Sequence, residues 1–342
     1  MSIVIAYDDV FLEHVTGSHP ERPQRLIAIR RALKDTSLQA RLRWITPNPA
    51  PREAITAVHT SEYLDYLEWL SFRGGGSLDL DTPVSDRSYE AAVMAAGATI
   101  DVLTEVVERK ADHGFALVRP PGHHARRHRG MGFCLLNNIA IAARYALDRL
   151  GLHRVLIADF DVHHGNGVQE TFYEEERVFY FSVHQSPFYP GSGTYDEIGE
   201  GRGVVCNANV PLPAGVGNVG YERALDEVLA PLASRFRPDA ILVCAGYDAH
   251  WADPLASMQV SSGGFGRMVA RLKGHAESLC QGRLVLALEG GYDLDGLSRS
   301  VVETFHALLG EKIGDDADLA PRLGWEPDLN PLLEKVRGLH HL

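Results

Sequence analysis

The chain has 342 residues, 45% hydrophobic and 23% charged, with a formal net charge of −12 at pH 7. That length can bury one large core, and the acidity argues against general nucleic-acid binding. The opening MSIVIAYDDVFLEH lacks the basic n-region of a secretory signal, no run approaches 18 apolar residues, and Cys134, Cys206, Cys244 and Cys280 form no CxxC pair. These features predict a cytoplasmic protein without a membrane span, a disulfide framework or a cysteine-based zinc site.

No repeat and no low-complexity linker divides the chain, so one domain over 1–342 is expected. RGGGS (73–77) reads as a loop between helical segments, the second of them 88–109. An apolar run then leads into RPPGHH, within 114–124. A helix is predicted over 137–151, ending at Gly151. RVLIADFDVHHGNG (154–167) and RVFYFSVHQSPFYPG (177–191) repeat the pattern of short apolar run and functional loop. A helix over 220–236 precedes DAILVCAGYD (239–248), and a helix over 263–280 precedes RLVLALEGGYD (283–293). The runs do not alternate with polar residues, as expected of strands buried on both faces of a parallel sheet. Strands alternating with helices imply βαβ crossovers, and ligands in such sheets bind beyond the carboxyl ends of the strands. Every one of the five loops would lie there.

DFDVHHGNG (159–167) carries the densest chemistry. In an extended segment Asp159, Asp161 and His163 point one way and Phe160, Val162 and His164 the other. Asp161 and His163 can give a divalent metal such as zinc two ligands, and Asp248 at the end of another strand is the candidate third. Asp159 reads better as a hydrogen-bonding residue than as a ligand, and His164 as structural. In RPPGHHA (119–125) the prolines and glycine make a rigid turn presenting His123 and His124, either as metal ligands or as an acid and base acting on a metal-bound water. Tyr292 in LEGGYD (288–293) could donate to a developing oxyanion, with Gly290 and Gly291 permitting close backbone approach. Gly132 and Phe133 in GFC, and Tyr189 in SPFYPG, offer channel walls, although each aromatic alone would more readily be core.

HPERPQR (19–25), RPPGHHA, GFCLLNN (132–138), DFDVHHGNG, SPFYPGSG (186–193), AGYDAHWADPL (245–255) and LEGGYD together resemble the zinc-dependent histone deacetylase superfamily, in family order, over roughly 1–310. The tail after about 311 matches nothing. The resemblance implies an α/β fold, a three-layer α/β/α sandwich around a mainly parallel eight-stranded sheet. It implies zinc held by Asp161, His163 and Asp248, His124 as base and then acid, His123 as electrostatic partner, and Asp159 behind His123. Tyr292 would polarise the acetyl carbonyl. Phe133 and Tyr189 would flank a channel for a linear acylated amine. A structural potassium ion would use Asp159, Asp161, His163, Ser182 and Val183, and a second would lie near Phe172 and Val178. Asn166, where class I members usually carry Asp, suggests a class II-like member and lies behind His124. Leu255, where a polyamine-selective member carries an acid, leans toward acetyl-lysine in proteins or peptides over acetylpolyamines. Asp81 is a candidate rim carboxylate or a loop cap. The oligomeric state is open. An arginase-type dimanganese centre would need an Asp-x-His-x-Asp bridge, and Gly165 stands at its second acid. A non-catalytic acyl-amine binding protein would predict a damaged catalytic set.

Overall fold

The computed structural model describes residues 2–34, 36–314 and 326–342. The strands are β1 (Ile3–Ala6), β2 (Leu42–Ile45), β3 (Gly76–Ser77), β4 (Pro83–Val84), β5 (His113–Ala116), β6 (Val155–Asp159), β7 (Val178–Gln185), β8 (Asn207–Leu212), β9 (Ala240–Ala245) and β10 (Leu284–Leu288). The helices are α1 (Gln24–Lys34), α2 (Arg52–Thr56), α3 (Ser61–Phe72), α4 (Ser88–Val107), α5 (Asn138–Arg149), α6 (Asn166–Phe172), α7 (Asn218–Ala224), α8 (Ala230–Phe236), α9 (Ser262–Cys280), α10 (Leu294–Leu309) and α11 (Asn330–Leu339). Eight strands form one sheet in the order β2-β1-β5-β10-β9-β6-β7-β8, and every pairing in it is parallel. The expected mainly parallel sheet is therefore wholly parallel among the described residues.

Helices cover both faces. A Cβ on Gly114 would touch Val102 and Val106 of α4, whereas the next ring, Phe115, packs on Phe305 of α10 at 5.4 Å. Neighbouring strand residues face opposite ways, so α4 and α10 lie on opposite sides. Side chains of β5, β6, β9 and β10 are buried along their whole length, which explains their unbroken apolar sequence.

Three departures from the sequence reading have local causes. RGGGS is not all loop, because Gly76 and Ser77 pair with Val84 and Pro83 in a two-residue antiparallel ladder. The segment 220–236 is not one regular helix, since a wider turn at Leu225–Leu229 joins α7 to α8. Pro231 opens α8 without an N–H to donate, which favours such a bulge. The tail, partly outside the described residues at 315–325, ends in α11, which packs on β8, and Glu326 accepts the backbone N–H groups of Val219 and Gly220.

The order of strands decides where chemistry can gather. The chain runs outward through β6, β7 and β8, then returns to insert β9 and β10 between β6 and β5. Loops distant in sequence thus leave adjacent strand ends. Some of the surrounding polar residues are structural. His59 donates from Nδ1 to Arg126 O (2.9 Å) and accepts Asn137 N at Nε2 (2.9 Å), which requires a neutral ring. Burial lowers its pKa from 6.5 to about 4. The folded chain resists protonation there while the unfolded chain takes the proton, so this site favours folding above pH 6.5 and loses that advantage as pH falls toward 4. The urea stability gap between wild type and His59→Gln should narrow across that window by on the order of 3 kcal/mol, and a pH-independent gap would contradict it.

Candidate active site

The carboxyl ends of β5, β10, β9, β6 and β7 surround a pocket of about 230 Å³. Asp159 ends β6, and the chain beyond it turns rather than continuing extended. Asp161 N donates to Asp159 Oδ1 (3.1 Å), and His163 N donates to Asp161 Oδ1 (2.9 Å). Simple alternation therefore does not describe 161–163, but its separation of His164 survives. His164 points away to Ser192 Oγ (2.8 Å) and Gln169 Oε1 (3.0 Å).

Asp161, His163 and Asp248 each bring one donor atom within 4.8 Å of the others, all buried. His163 Nδ1 lies 3.0 Å from Asp161 Oδ1 and 3.2 Å from Asp248 Oδ2. Asp248 Oδ1 accepts Val162 N at 2.9 Å, while buried Oδ2 has no partner in hydrogen-bond geometry. An orphaned carboxylate oxygen facing a second carboxylate and an imidazole fits a divalent cation with an open position. Burial opposes charge on His163, but its hydrogen bond to Asp161 and the nearby Asp248 carboxylate prevail and push it up to about 10. The two carboxylates thus favour positive charge at this point, as a cation site requires. Gly290 is demanded by space, because its Cβ would stand 2.0 Å from Asp248 Oδ2 and 2.6 Å from Asp161 Oδ2. Its N–H donates to Asp161 Oδ2 (2.8 Å).

The histidine pair stands beside this cluster, with ring centroids 4.0 Å apart. His123 Nδ1 lies 3.1 Å from Asp159 Oδ2, which also accepts Tyr180 OH (3.0 Å). Burial works against charge on His123, yet Asp161 and Asp159 outweigh it and raise its pKa to about 10. His124 Nδ1 lies 2.8 Å from Asn166 Oδ1, an oxygen that can only accept. The proton of neutral His124 is thereby held on Nδ1, leaving the Nε2 lone pair free. Burial, followed by the charges of His123 and His163, lowers the His124 pKa well below its usual value. Two adjacent imidazoles are thus driven in opposite directions.

Tyr292 faces them. Its ring meets Phe133 edge-on at 5.7 Å and lies under the Arg25 guanidinium at 5.0 Å. Burial, then the Asp248 charge, raises the phenol far above its usual value, so it stays a donor. Tyr189 meets His124 edge-on at 5.2 Å, and Asp81 and Leu255 also line the pocket. Gly132, at φ +55°, leaves room for His124, whose Cδ2 would be 2.6 Å from a Cβ there. Gly291 is not a lining residue. It packs against Tyr247 and Leu297, and its carbonyl accepts Arg25 Nε at 2.6 Å. At the expected potassium positions, register pairs Asp159 with Ser182, Val183 follows on β7, and Phe172 and Val178 are buried at the end of α6 and the start of β7.

Several supporting residues escaped the sequence reading. Arg25 also donates from Nη2 to Glu289 O (2.5 Å) and pairs with Glu21 (3.2 Å), which is shared with buried Arg119. This network accounts for HPERPQR, and its signal was the motif itself. His19 packs edge-on against Phe133 at 4.3 Å. Phe188 stacks on His163 at 5.1 Å. Asp253 Oδ2 accepts Tyr292 N (2.7 Å) while Oδ1 accepts Leu255 N (2.9 Å). Burial, with the Asp248 charge, raises the Asp253 carboxyl to about 7. Glu289 Oε2 accepts the N–H groups of Gly122 (2.7 Å) and His123 (3.1 Å), fixing the turn that bears both histidines.

The histone deacetylase domain family matches residues 19–308. The chain belongs to the histone deacetylase family. Its relatives include "Histone deacetylase 10, chloroplastic" of Oryza sativa subsp. japonica, 42% identical over 96% of this chain and 79% of that one. They also include "Histone deacetylase-like amidohydrolase" of Pseudomonas aeruginosa, 42% identical over 81% of this chain and 73% of that one. The crystal structure of the HDA15 HD domain superposes with a TM-score of 0.90 at 36% identity, covering 99% of this chain and 94% of that one. The fold is thus that of the family, and a deacetylase-type amidohydrolase is the activity class. Zinc dependence is general among these hydrolases. No helix among the described residues is long and apolar enough to cross a membrane.

Proposed function

We propose that this deacetylase-family chain removes acetyl groups from linear acylated amines, with acetyl-lysine in proteins or peptides as the preferred class. The observation that carries this reading is the pocket lined by Phe133, Tyr189, His124, Tyr292 and His163, the last of these belonging to the Asp161–His163–Asp248 cluster. Leu255 at its mouth offers no charge to the second ammonium group of a polyamine. Asp81 beside Asp79 supports the alternative, acetylpolyamines, by placing acid at the same mouth.

Asp161, His163 and Asp248 would hold zinc, which when bound supplies a Lewis acid for the amide carbonyl and a water of lowered pKa. His124 Nε2 takes a proton from the attacking water and passes it to the departing amine nitrogen. Asn166 keeps the other His124 proton on Nδ1 throughout. His123, held by Asp159, supplies positive charge beside the developing oxyanion, and the Tyr292 hydroxyl donates to that oxygen. Water and amide are consumed, and acetate and free amine are released. A structural potassium ion at Asp159, Asp161, His163, Ser182 and Val183 belongs to the same proposal, as does a second near Phe172 and Val178. Support comes from the paired ends of β6 and β7. A reducing, cytoplasmic setting accords with four free thiols.

The deciding experiment compares acetyl-lysine peptides with acetylputrescine and acetylspermidine on zinc-loaded protein. Preference for the peptide supports the reading, and preference for the polyamines overturns the choice of substrate. Tyr292→Phe should lower kcat by about 10²- to 10³-fold with zinc content unchanged. Unaltered turnover would remove the phenol from the mechanism.

A further inference from the structure

The pocket wall contains a second convergence of metal-binding side chains. His123, Cys134 and Glu289 each place one donor atom within 4.8 Å of the others. All are buried, yet His123 and Cys134 line the pocket, so a small ion arriving through the channel can reach them. Glu289 spends Oε2 on the backbone of Gly122 and His123, whereas its buried Oε1 has no hydrogen-bond partner. Leaving such an oxygen unmatched is unfavourable, and a cation would offset that cost. His123 Nδ1 is committed to Asp159, leaving Nε2 as the available ring nitrogen. Burial, then the charge of Glu289, keeps Cys134 a thiol in the absence of a metal. One sulfur, one imidazole nitrogen and one carboxylate oxygen suit zinc, not the all-oxygen preferences of magnesium or calcium.

We propose that His123, Cys134 and Glu289 form a second, weaker zinc site whose occupation inhibits the enzyme. Binding releases the Cys134 thiol proton, and any proton on His123 Nε2 or the Glu289 carboxyl, to solvent. The site is weaker because two divalent ions in neighbouring clusters repel one another, although Asp159, Asp161 and Asp248 moderate that repulsion. The inhibition follows from the position of His123, which lines the pocket beside His124 with ring centroids 4.0 Å apart and whose ring nitrogen, once coordinated, can no longer act beside the reacting carbonyl. Metal binding stands on the donor set alone, while the inhibition rests on the hydrolase reading above.

The test is equilibrium dialysis of the full chain against zinc, followed in parallel by activity and by cobalt substitution. Wild type should bind two ions per chain, the second at least about tenfold more weakly. Its activity should fall by about tenfold or more as the second ion binds. Loading with excess cobalt should produce a thiolate-to-cobalt charge-transfer band. Glu289→Gln keeps an oxygen to accept the Gly122 and His123 N–H groups, so the turn is preserved. This variant and Cys134→Ala should each bind one ion and, relative to their own one-zinc activity, escape inhibition. The band should disappear in Cys134→Ala. A single ion in wild type, no band, or variants with unchanged stoichiometry would overturn the site. Two ions and the band with no deacetylation at one zinc would retain the metal site and defeat the hydrolase reading. Full activity with both ions bound would defeat inhibition.

Discussion

Asp248→Asn protein will lose the tightly bound zinc proposed for the Asp161–His163–Asp248 cluster yet remain folded. The Asn oxygen can still accept Val162 N, which Asp248 Oδ1 does at 2.9 Å, so the turn after β6 keeps its anchor. What changes is the other atom, where an amide NH₂ replaces the unpartnered Oδ2. Altering residues that merely support a metal ligand costs about 10- to 100-fold in affinity, so loss of a ligand should exceed about 100-fold. Activity should fall with metal content. In the zinc-free state the thermal midpoint should stay level or rise, because burial and the charge of Asp161 together disfavour the Asp248 carboxylate more than His163 favours it. Zinc should then raise the midpoint of wild type much more than that of the variant. Equal zinc content in the two proteins would exclude Asp248 as a ligand.

His124→Ala will keep its zinc and lose turnover. The change removes the proposed base, whose free Nε2 follows from the 2.8 Å contact to Asn166 Oδ1. A positioned acid–base group contributes about 10²- to 10⁴-fold, and kcat should fall within that range while KM changes little. The sign of the pH effect is fixed by the role. His124 must be neutral to accept a proton, so wild-type activity declines as pH falls and the ring becomes charged. That acidic limb in kcat/KM should vanish in His124→Ala. Persistence of the limb would assign it to another group, and wild-type kcat would exclude His124 as the base.

The fold was legible where sequence and burial coincide. The runs at 114–118, 155–158, 240–245 and 284–288 are uninterrupted apolar segments because their strands lie in the middle of the sheet. β8 escaped notice because it is an edge strand, reads NANVPL, and satisfies Asn207 and Asn209 through Gln169. Half-exposed LRWI in β2 likewise lacks the apolar signature. Local spacing brought out Asp161 and His163, since their polar density directly follows a strand. It could not expose Arg25 as the anchor of Gly291, because those residues are 266 positions apart. Asp253 was hidden for another reason: it acts through backbone N–H groups, which leave no mark in the residues they belong to. The family pattern bridged part of that distance by assigning roles to Asp159 and Asn166, and the contacts to His123 and His124 give those roles a geometry.

Two of the hydrogen bonds accepted by Asp253 have a consequence for diversification. One carboxylate holds the mouth of the pocket at Leu255 and its reactive floor at Tyr292, and both attachments use only main-chain atoms. The identity of side chain 255 is therefore free to vary without disturbing the anchor of the phenol. If Leu255 selects the acyl amine and Tyr292 serves the chemical step, as proposed, selection can retune recognition while the geometry of turnover is kept.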